Sequence, residues 1–271
     1  MYRISGMNFH YQRFPFEYFL DSLVNLGVEY VELWAGEPHL YVEDAPVSQV
    51  SRMRHEIVAR GLKTVCFTPE QCIYPVNIAA KNDRYRSRSV QYFIKCVELA
   101  AEFGAKTLLV TTGRGYYDED KAEPWKRAVE SIRAIAEAAC KYDITVAIET
   151  MTRYATNIAN NMADLVKLIK DIDMTNVKPM LDTVPMHMAG ETVEQYVEAF
   201  GENLAHIHFL DGDGVSGSHL ALGDGVYPLE EYIGSLKKYH GFLTPEICIA
   251  RYYLEPEKAM KQCIDRLKQG K

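Results

Sequence analysis

The sequence contains no run of about 18 uncharged apolar residues and no long cluster of lysine and arginine. The first absence argues against a membrane-spanning helix. The second argues against nucleic acid as a partner, because binding to phosphates requires clustered basic side chains. The formal net charge of -7 over 271 residues points the same way.

Paired cysteine motifs are also missing, since none of the six cysteines forms a C-x-x-C pattern. Scattered cysteines in a chain of this length are typical of reduced thiols, and they argue against a disulfide framework or a structural zinc site. The first ten residues, MYRISGMNFH, lack the continuous apolar segment of a secretory signal. Together these absences predict a cytoplasmic protein.

The sequence does contain a regular alternation of short β-rich segments with longer amphipathic segments. The clearest helical pattern, at residues 89–104, has apolar residues three and four positions apart and a final glycine. Similar patterns cover residues 125–142 and 255–270. The predicted strands are residues 3–7, 28–34, 62–68, 106–112, 144–150, 177–182, 205–211 and 243–249.

This alternation predicts the parallel β-α-β units of an α/β protein. Eight such units in 271 residues match a TIM (β/α)8 barrel, which we expect to form a single domain over residues 1–271. A doubly wound sheet is the alternative, but its glycine-rich turn is missing after the first predicted strand. In a TIM barrel the chemistry lies at the C-terminal ends of the strands, so the polar residues there are the candidates for a site.

Four adjacent predicted strands each carry one potential metal ligand towards their C-terminal end: Glu149, Asp182, His208 and Glu246. Taken singly, each has an ordinary structural role, such as a helix cap, an ion pair or a core histidine. Taken together they favour a shared site, because three carboxylates buried in apolar strands are costly without a compensating charge. The oxygen-rich set favours Mn²⁺, with Mg²⁺, Co²⁺, Ni²⁺ and Zn²⁺ as alternatives.

Two histidines, His206 and His208, lie on the same face of the seventh predicted strand, because side chains alternate along a strand. His208 is nearer to the C-terminal mouth and is the better ligand. We expect His206 to lie one layer deeper, as a supporting or core residue. Asp211 is a candidate to orient the ligand histidine through its other ring nitrogen.

A divalent ion beside two glutamates suits the removal of a proton from a carbon next to a carbonyl group. One carboxylate takes the proton from one face, and a second carboxylate returns a proton to the other face, which inverts the carbon. Glu149 and Glu246, on predicted strands five and eight, are the candidate acid and base.

Several segments resemble the xylose-isomerase-like superfamily of sugar isomerases and epimerases, above all its fructoselysine 3-epimerase group and more distantly the ketose 3-epimerases. The most distinctive are VELWAGEPH at residues 31–39 and HIHFLDGDGVSGSHLALGDG at residues 206–225. The others are GMNFHYQRFPFE at residues 6–17, FTPEQCIYPVN at 67–77, IETMTRYATN at 148–157, LDTVPMH at 181–187 and PEIC at 245–248.

The resemblance implies a metal-dependent enzyme of the isomerase class that inverts C3 beside a C2 ketone, on fructoselysine or a related ketosamine or ketose. It places the metal ligands on the same four residues and the acid and base on Glu149 and Glu246. It also suggests a homo-oligomer. The contacts of ketose 3-epimerases to a free hexulose are replaced here by Ala155, Pro185 and Gly214, which argues against a free hexulose bound in their manner.

The candidate substrate contacts are Trp34, His187, Asp211 and His219. The acidic residues Asp211, Asp213 and Asp224, in the loop after strand seven, favour an amine-bearing sugar over a sugar phosphate. Three alternatives stay open: an aldose–ketose isomerase on a free or phosphorylated sugar, a metal phosphodiesterase that shares the barrel, and a non-catalytic sugar-binding protein.

Overall fold

The computed structural model describes residues 1–72 and 75–270. The motif at residues 67–77 and the expected domain at 1–271 therefore include positions outside the described residues, namely Ile73 and Tyr74 in the motif and also Lys271 in the domain. Within the described residues, eight strands form a closed parallel barrel in chain order, and β1 pairs with both β2 and β8. The predicted TIM barrel is confirmed, and the doubly wound alternative is wrong.

The strands of the barrel lie close to their predicted positions. Their bounds are β1 Arg3–Met7, β2 Tyr30–Ala35, β3 Lys63–Pro69, β4 Thr107–Thr111, β5 Thr145–Glu149, β6 Val177–Asp182, β7 His206–His208 and β8 Phe242–Thr244. The last two strands are shorter than predicted. Pro245 has no N–H to donate to the sheet, which explains why β8 ends at Thr244. Glu246 therefore lies two residues beyond its strand.

Helices cover the outside of the barrel. Their bounds are α1 Phe16–Asn25, α2 Val47–Ala59, α3 Asp83–Phe103, α4 Ala122–Cys140, α5 Met162–Ile172, α6 Thr183–Met188, α7 Val193–Phe200, α8 Leu229–Ser235 and α9 Pro256–Gln269. Helix α3 starts before its predicted position because the side chain of Asn82 caps it. None of the helices in the described part of the chain is long and apolar enough to cross a membrane.

Side-chain alternation divides the barrel interior into an apolar and a polar layer. Cys66, Leu109, Ala147 and Met180 pack together on the inside of strands β3 to β6. Two residues further along, towards the C-terminal ends, the inward positions of β5 and β6 are Glu149 and Asp182. The apolar layer thus forms the floor beneath a cluster of charged side chains.

Candidate metal centre and active site

The four predicted metal ligands meet at the C-terminal mouth of the barrel. Glu149, Asp182 and His208 are the last residues of β5, β6 and β7, and Glu246 follows β8. Asp182 and His208 are direct neighbours in the sheet register. One ligand atom from each of the four residues lies within 4.8 Å of the others.

The distances around His208 suit a single ion. Its Nδ1 lies 3.2 Å from Oε2 of Glu246, 3.3 Å from Oε1 of Glu149 and 4.0 Å from Oδ2 of Asp182. Two ligand atoms that are each about 2.1 Å from one ion lie at most about 4.2 Å apart. The three distances from His208 Nδ1 fall within that limit.

Two of the ligand atoms need a partner that the described residues do not supply. His208 Nδ1 and Glu149 Oε1 are buried and make no hydrogen bond of good geometry within the described chain. An unsatisfied buried polar atom costs about 1–3 kcal/mol, and more for a charged group. A divalent cation would bind both atoms at once, so these residues fit a metal.

Asp182 also has the structural role that a strand-end aspartate commonly has. Its Oδ1 accepts a hydrogen bond from the backbone N–H of Val184 at 2.7 Å and caps helix α6. Its Oδ2 faces His208. The cap fixes the orientation of the carboxylate and leaves one oxygen free for the cluster.

The two candidate acid–base glutamates have different proton affinities. Burial raises the pKa of Glu149 to about 7. Burial acts in the same direction on Glu246, but in the metal-free protein the positive charges of protonated His208 and His219 outweigh it and hold the pKa of Glu246 at about 2. In the metal-free protein near neutral pH, one carboxyl can therefore carry a proton while the other is ionised.

Glu32 supports the cluster from below, and sequence reasoning missed it. Its carboxylate is fully buried and accepts hydrogen bonds from Nε2 of His208 at 2.8 Å and from Nε2 of His206 at 2.6 Å. Although burial disfavours a charge there, the two histidines keep the pKa of Glu32 well below its usual value. The bond from His208 Nε2 leaves Nδ1 to face the other ligands, as metal-binding histidines require. The signal that could have identified Glu32 is its position as a glutamate inside an apolar strand, two residues before Trp34.

His206 lies one layer deeper than His208, where the sequence pattern placed it. Its Nε2 is 3.0 Å from the hydroxyl of Thr244, which in turn is 2.7 Å from the hydroxyl of Ser5. The barrel interior thus contains a chain of hydrogen bonds that runs from β1 through β8 and β7 to Glu32. This chain fixes the side chains on which His208 rests.

A cavity of about 400 Å³ opens above the cluster, and its size suits a small ligand. Trp34 forms part of its wall and packs on the ring of Phe9 at a centroid distance of 4.5 Å. His219 also lines the cavity, 3.1 Å from Oε2 of Glu246. The remaining wall includes Glu70, Cys72, Met151, Thr152, Ala155, Pro185, Gly217 and Cys248. A larger cavity, of about 710 Å³, lies at the opposite end of the barrel, away from the cluster.

Two of the predicted substrate contacts lie behind this wall. His187 stacks on Tyr227 at a ring distance of 4.0 Å and bonds the hydroxyl of Tyr232 at 2.7 Å. The carboxylate of Asp211 accepts backbone N–H bonds within its own loop, from Gly212, Gly223, Gly225 and Tyr227. Asp211 therefore organises the loop, while Glu32 has the histidine-orienting role that the sequence had suggested for Asp211.

Glycine is required at position 225 of this loop. A Cβ atom there would lie 2.3 Å from Oδ1 of Asp211, closer than any real contact.

The other two acids of the loop also have partners within the protein. Asp213 accepts a hydrogen bond from the hydroxyl of Ser216, and Asp224 forms an ion pair with Arg251 at 3.0 Å. None of the three loop acids lines the cavity, so the amine preference expected from them has no direct contact behind it in the cavity wall. Glu70 lines the cavity as a further carboxyl group outside the four-ligand cluster.

Comparison with known proteins agrees with this architecture. A family model described as a xylose isomerase-like TIM barrel matches residues 20–270. Fructoselysine 3-epimerase of Shigella flexneri is 25% identical over 260 residues, which cover 95% of this chain and 94% of that protein. The expected resemblance to sugar 3-epimerases, which are isomerases, is confirmed by this relative.

Solved structures show the same fold at lower identity. D-psicose 3-epimerase with D-tagatose from Clostridium cellulolyticum H10 superposes with a TM-score of 0.80 at 16% identity, over 98% of both chains. The apo form of 3-keto-D-glucoside 4-epimerase from E. coli superposes with a TM-score of 0.82 at 17% identity, over 99% of this chain and all of that one.

Proposed function

The chain belongs to the xylose isomerase-like TIM barrel family, and we propose that it is a divalent-metal-dependent sugar epimerase that inverts C3 next to a C2 ketone. One observation carries the proposal. The strand ends bring three carboxylates and a histidine within 4.8 Å of one another, below a cavity of ligand size. A non-catalytic binding site does not require two glutamates within one cluster at its base.

The residues that would hold the ion are Glu149, Asp182, His208 and Glu246, with Mn²⁺ as the first candidate. When bound, a divalent ion supplies Lewis-acid polarisation of the ketone and compensates the negative charge that develops as the neighbouring carbon loses its proton. Glu32 holds His208 so that Nδ1 stays directed at the other ligands.

Proton transfer falls to the two glutamates. One glutamate, as a carboxylate, removes the proton from C3, and the other, in its protonated form, returns a proton to the opposite face. In the reverse reaction the two residues exchange roles. Trp34 offers an aromatic surface on which the apolar face of a sugar can pack.

The proposed substrate is fructoselysine or a related ketosamine. The support is the relative that spans almost the full chain, together with the shape of the cavity. A second cavity of about 460 Å³ shares Thr152 and Pro185 with the first, which leaves room for a substrate longer than a free hexose. Glu70 provides a half-buried carboxyl group in the cavity wall. Burial raises its pKa, and a substrate ammonium would oppose that effect by favouring the ionised form.

The test is NMR of D-fructoselysine in D₂O with Mn²⁺-loaded protein. The proposal predicts deuterium at C3 and the appearance of psicoselysine. Deuterium at C1 without C3 exchange would identify an aldose–ketose isomerase. Saturable binding without exchange at either carbon would identify a sugar-binding protein. Either result contradicts the epimerase.

A further inference from the structure

A second group of ligand-type side chains shares Glu246 with the cluster described above. His219, Glu246 and Cys248 each offer one ligand atom, and these atoms lie within 4.8 Å of one another. His219 Nδ1 is 3.1 Å from Oε2 of Glu246, but this buried nitrogen makes no hydrogen bond of good geometry among the described residues. We propose that this group is a second metal site, selective for thiophilic divalent cations such as Zn²⁺ and Cd²⁺.

The chemistry of the two groups separates the cations that they prefer. Three carboxylates and one imidazole form a hard site, suited to Mn²⁺ or Mg²⁺. A thiolate, an imidazole and a carboxylate form a softer site, and thiolate ligands select Zn²⁺ over Mg²⁺ or Mn²⁺. A cation that binds Cys248 displaces the thiol proton to solvent. Three protein ligands leave a fourth position open towards the cavity.

The position of this site gives it a consequence for the enzyme. All three residues line the cavity above the four-ligand cluster. A cation held there occupies part of the space for substrate and takes an oxygen of Glu246, the residue assigned to proton transfer. Thiophilic cations are therefore expected to inhibit turnover. This consequence rests on the proposed function, whereas the metal site itself does not.

One other cysteine group has the same composition but is already occupied by its own bonds. Glu32, Cys66 and His206 also approach within 4.8 Å. Both carboxylate oxygens of Glu32 are engaged with histidines, and His206 Nε2 is bonded to Glu32 and Thr244. Cys66 is fully buried beneath them. A cation there would have to break bonds that hold His208, so this group makes a useful comparison.

The experiment is a titration of Mn²⁺-loaded protein with Cd²⁺, followed by thiolate-to-cadmium absorption in the near ultraviolet and by metal analysis after desalting. The proposal predicts one equivalent of retained cadmium with a thiolate band in the native protein. Cys248→Ser and Cys248→Ala lose both the band and the equivalent. Cys72→Ser is the matched control, because Cys72 lines the same cavity but is outside the group. It keeps both.

A second variant tests the imidazole ligand. His219→Asn removes one ligand and is expected to weaken cadmium binding by at least about tenfold, with the thiolate band still reached at saturation. The proposal is overturned if the native protein retains no cadmium, or if the band survives in Cys248→Ser. Loss of the band in Cys66→Ser or Cys72→Ser, with Cys248→Ser unaffected, also overturns it. These readouts do not depend on turnover, so they remain decisive if the protein is not an epimerase.

Discussion

The carboxylate of Glu32 lies 2.8 Å from Nε2 of His208, although 176 positions separate the two residues in the chain. This contact determines which ring nitrogen His208 presents to the mouth of the barrel. Nδ1 is left facing three carboxylates without a hydrogen bond of its own within the described residues. The contact thus connects the polar interior of the barrel to the candidate metal site.

Replacement of this supporting carboxylate should weaken metal binding without touching a ligand. Glu32→Gln keeps the size of the side chain but gives one of the two histidines an amide N–H₂ in place of an acceptor. We expect Mn²⁺ affinity to fall by about 10- to 100-fold, as for other residues that orient metal ligands. Calorimetric titration measures the Mn²⁺ affinity, and Glu29→Gln, at an exposed position, is the control. Equal affinity in the two variants would contradict this role.

The two candidate acid–base residues can be tested separately. In Glu149→Gln or Glu246→Gln one proton carrier is lost, so epimerisation should fall by about 10²- to 10⁴-fold. Each variant retains one carboxylate, so C3 exchange in D₂O should persist for one epimer only. Metal content is measured in parallel, and Glu130→Gln, on the exposed face of α4, is the control. Equal residual exchange of both epimers in each variant would refute the assignment.

Metal affinity should depend on pH through Glu149. Its pKa is about 7 in the metal-free protein because of burial. Above pH 7 the carboxylate is free to bind a cation, whereas below pH 7 the cation must displace a proton. Below pH 7, each decrease of one pH unit should therefore reduce the metal affinity by up to about tenfold, in addition to any pH dependence from other groups. Calorimetry between pH 8 and pH 5.5 in buffers of different ionisation enthalpy measures the released proton. Identical proton release across this range would oppose the prediction.

Glu70 should distinguish an amine-bearing substrate from a free ketose. A hydrogen bond to a charged group contributes about 1.5 kcal/mol or more, which corresponds to about tenfold in affinity. Glu70→Gln should raise KM for the ketosamine by about this factor and leave KM for D-psicose unchanged. Steady-state assays of both substrates, with the exposed Glu98→Gln as control, decide the point. An equal change in KM for both substrates would show that Glu70 does not recognise the amine.

His10 should make the fold sensitive to mild acid. Burial lowers the pKa of His10 to about 3, against a smaller opposing effect of the Pro256 backbone, while the unfolded value is about 6.5. Because the folded state resists protonation, stability is complete above pH 6.5 and falls as the pH drops towards 3, by about 1.4 kcal/mol per unit. Denaturant unfolding at pH 7, 6 and 5 measures the slope. In His10→Leu the free energy of unfolding should lose the part of its pH dependence that comes from His10. An unchanged slope in that variant would contradict the assignment.

The fold was predictable because each strand carries its own signal. The apolar alternation around Glu149 and Asp182 ends where the sheet ends, so these two residues were placed correctly at strand termini. The ends of β7 and β8 are set by features outside a simple periodic pattern. After His208 the chain leaves the sheet for a loop in which Asp211 pairs with Leu220. Pro245 stops β8 by lacking an N–H.

The contacts behind the site were less predictable, because they join distant parts of the chain. In the sequence, Glu32 is only a charged residue inside an apolar strand. Its role appears in the closed barrel, where β2 and β7 bring it next to His208. His187 and Asp211 occur beside the candidate ligands in sequence, yet their side chains turn away to Tyr232 and to the loop backbone. Their proximity to the ligands in sequence therefore did not predict where their side chains point.

The most direct measurement is anomalous X-ray diffraction from crystals soaked in Mn²⁺, with data collected on both sides of the manganese absorption edge. The account predicts one strong anomalous peak bounded by Glu149, Asp182, His208 and Glu246, with His208 bound through Nδ1. A peak elsewhere, or none at these four side chains at saturating Mn²⁺, would contradict it.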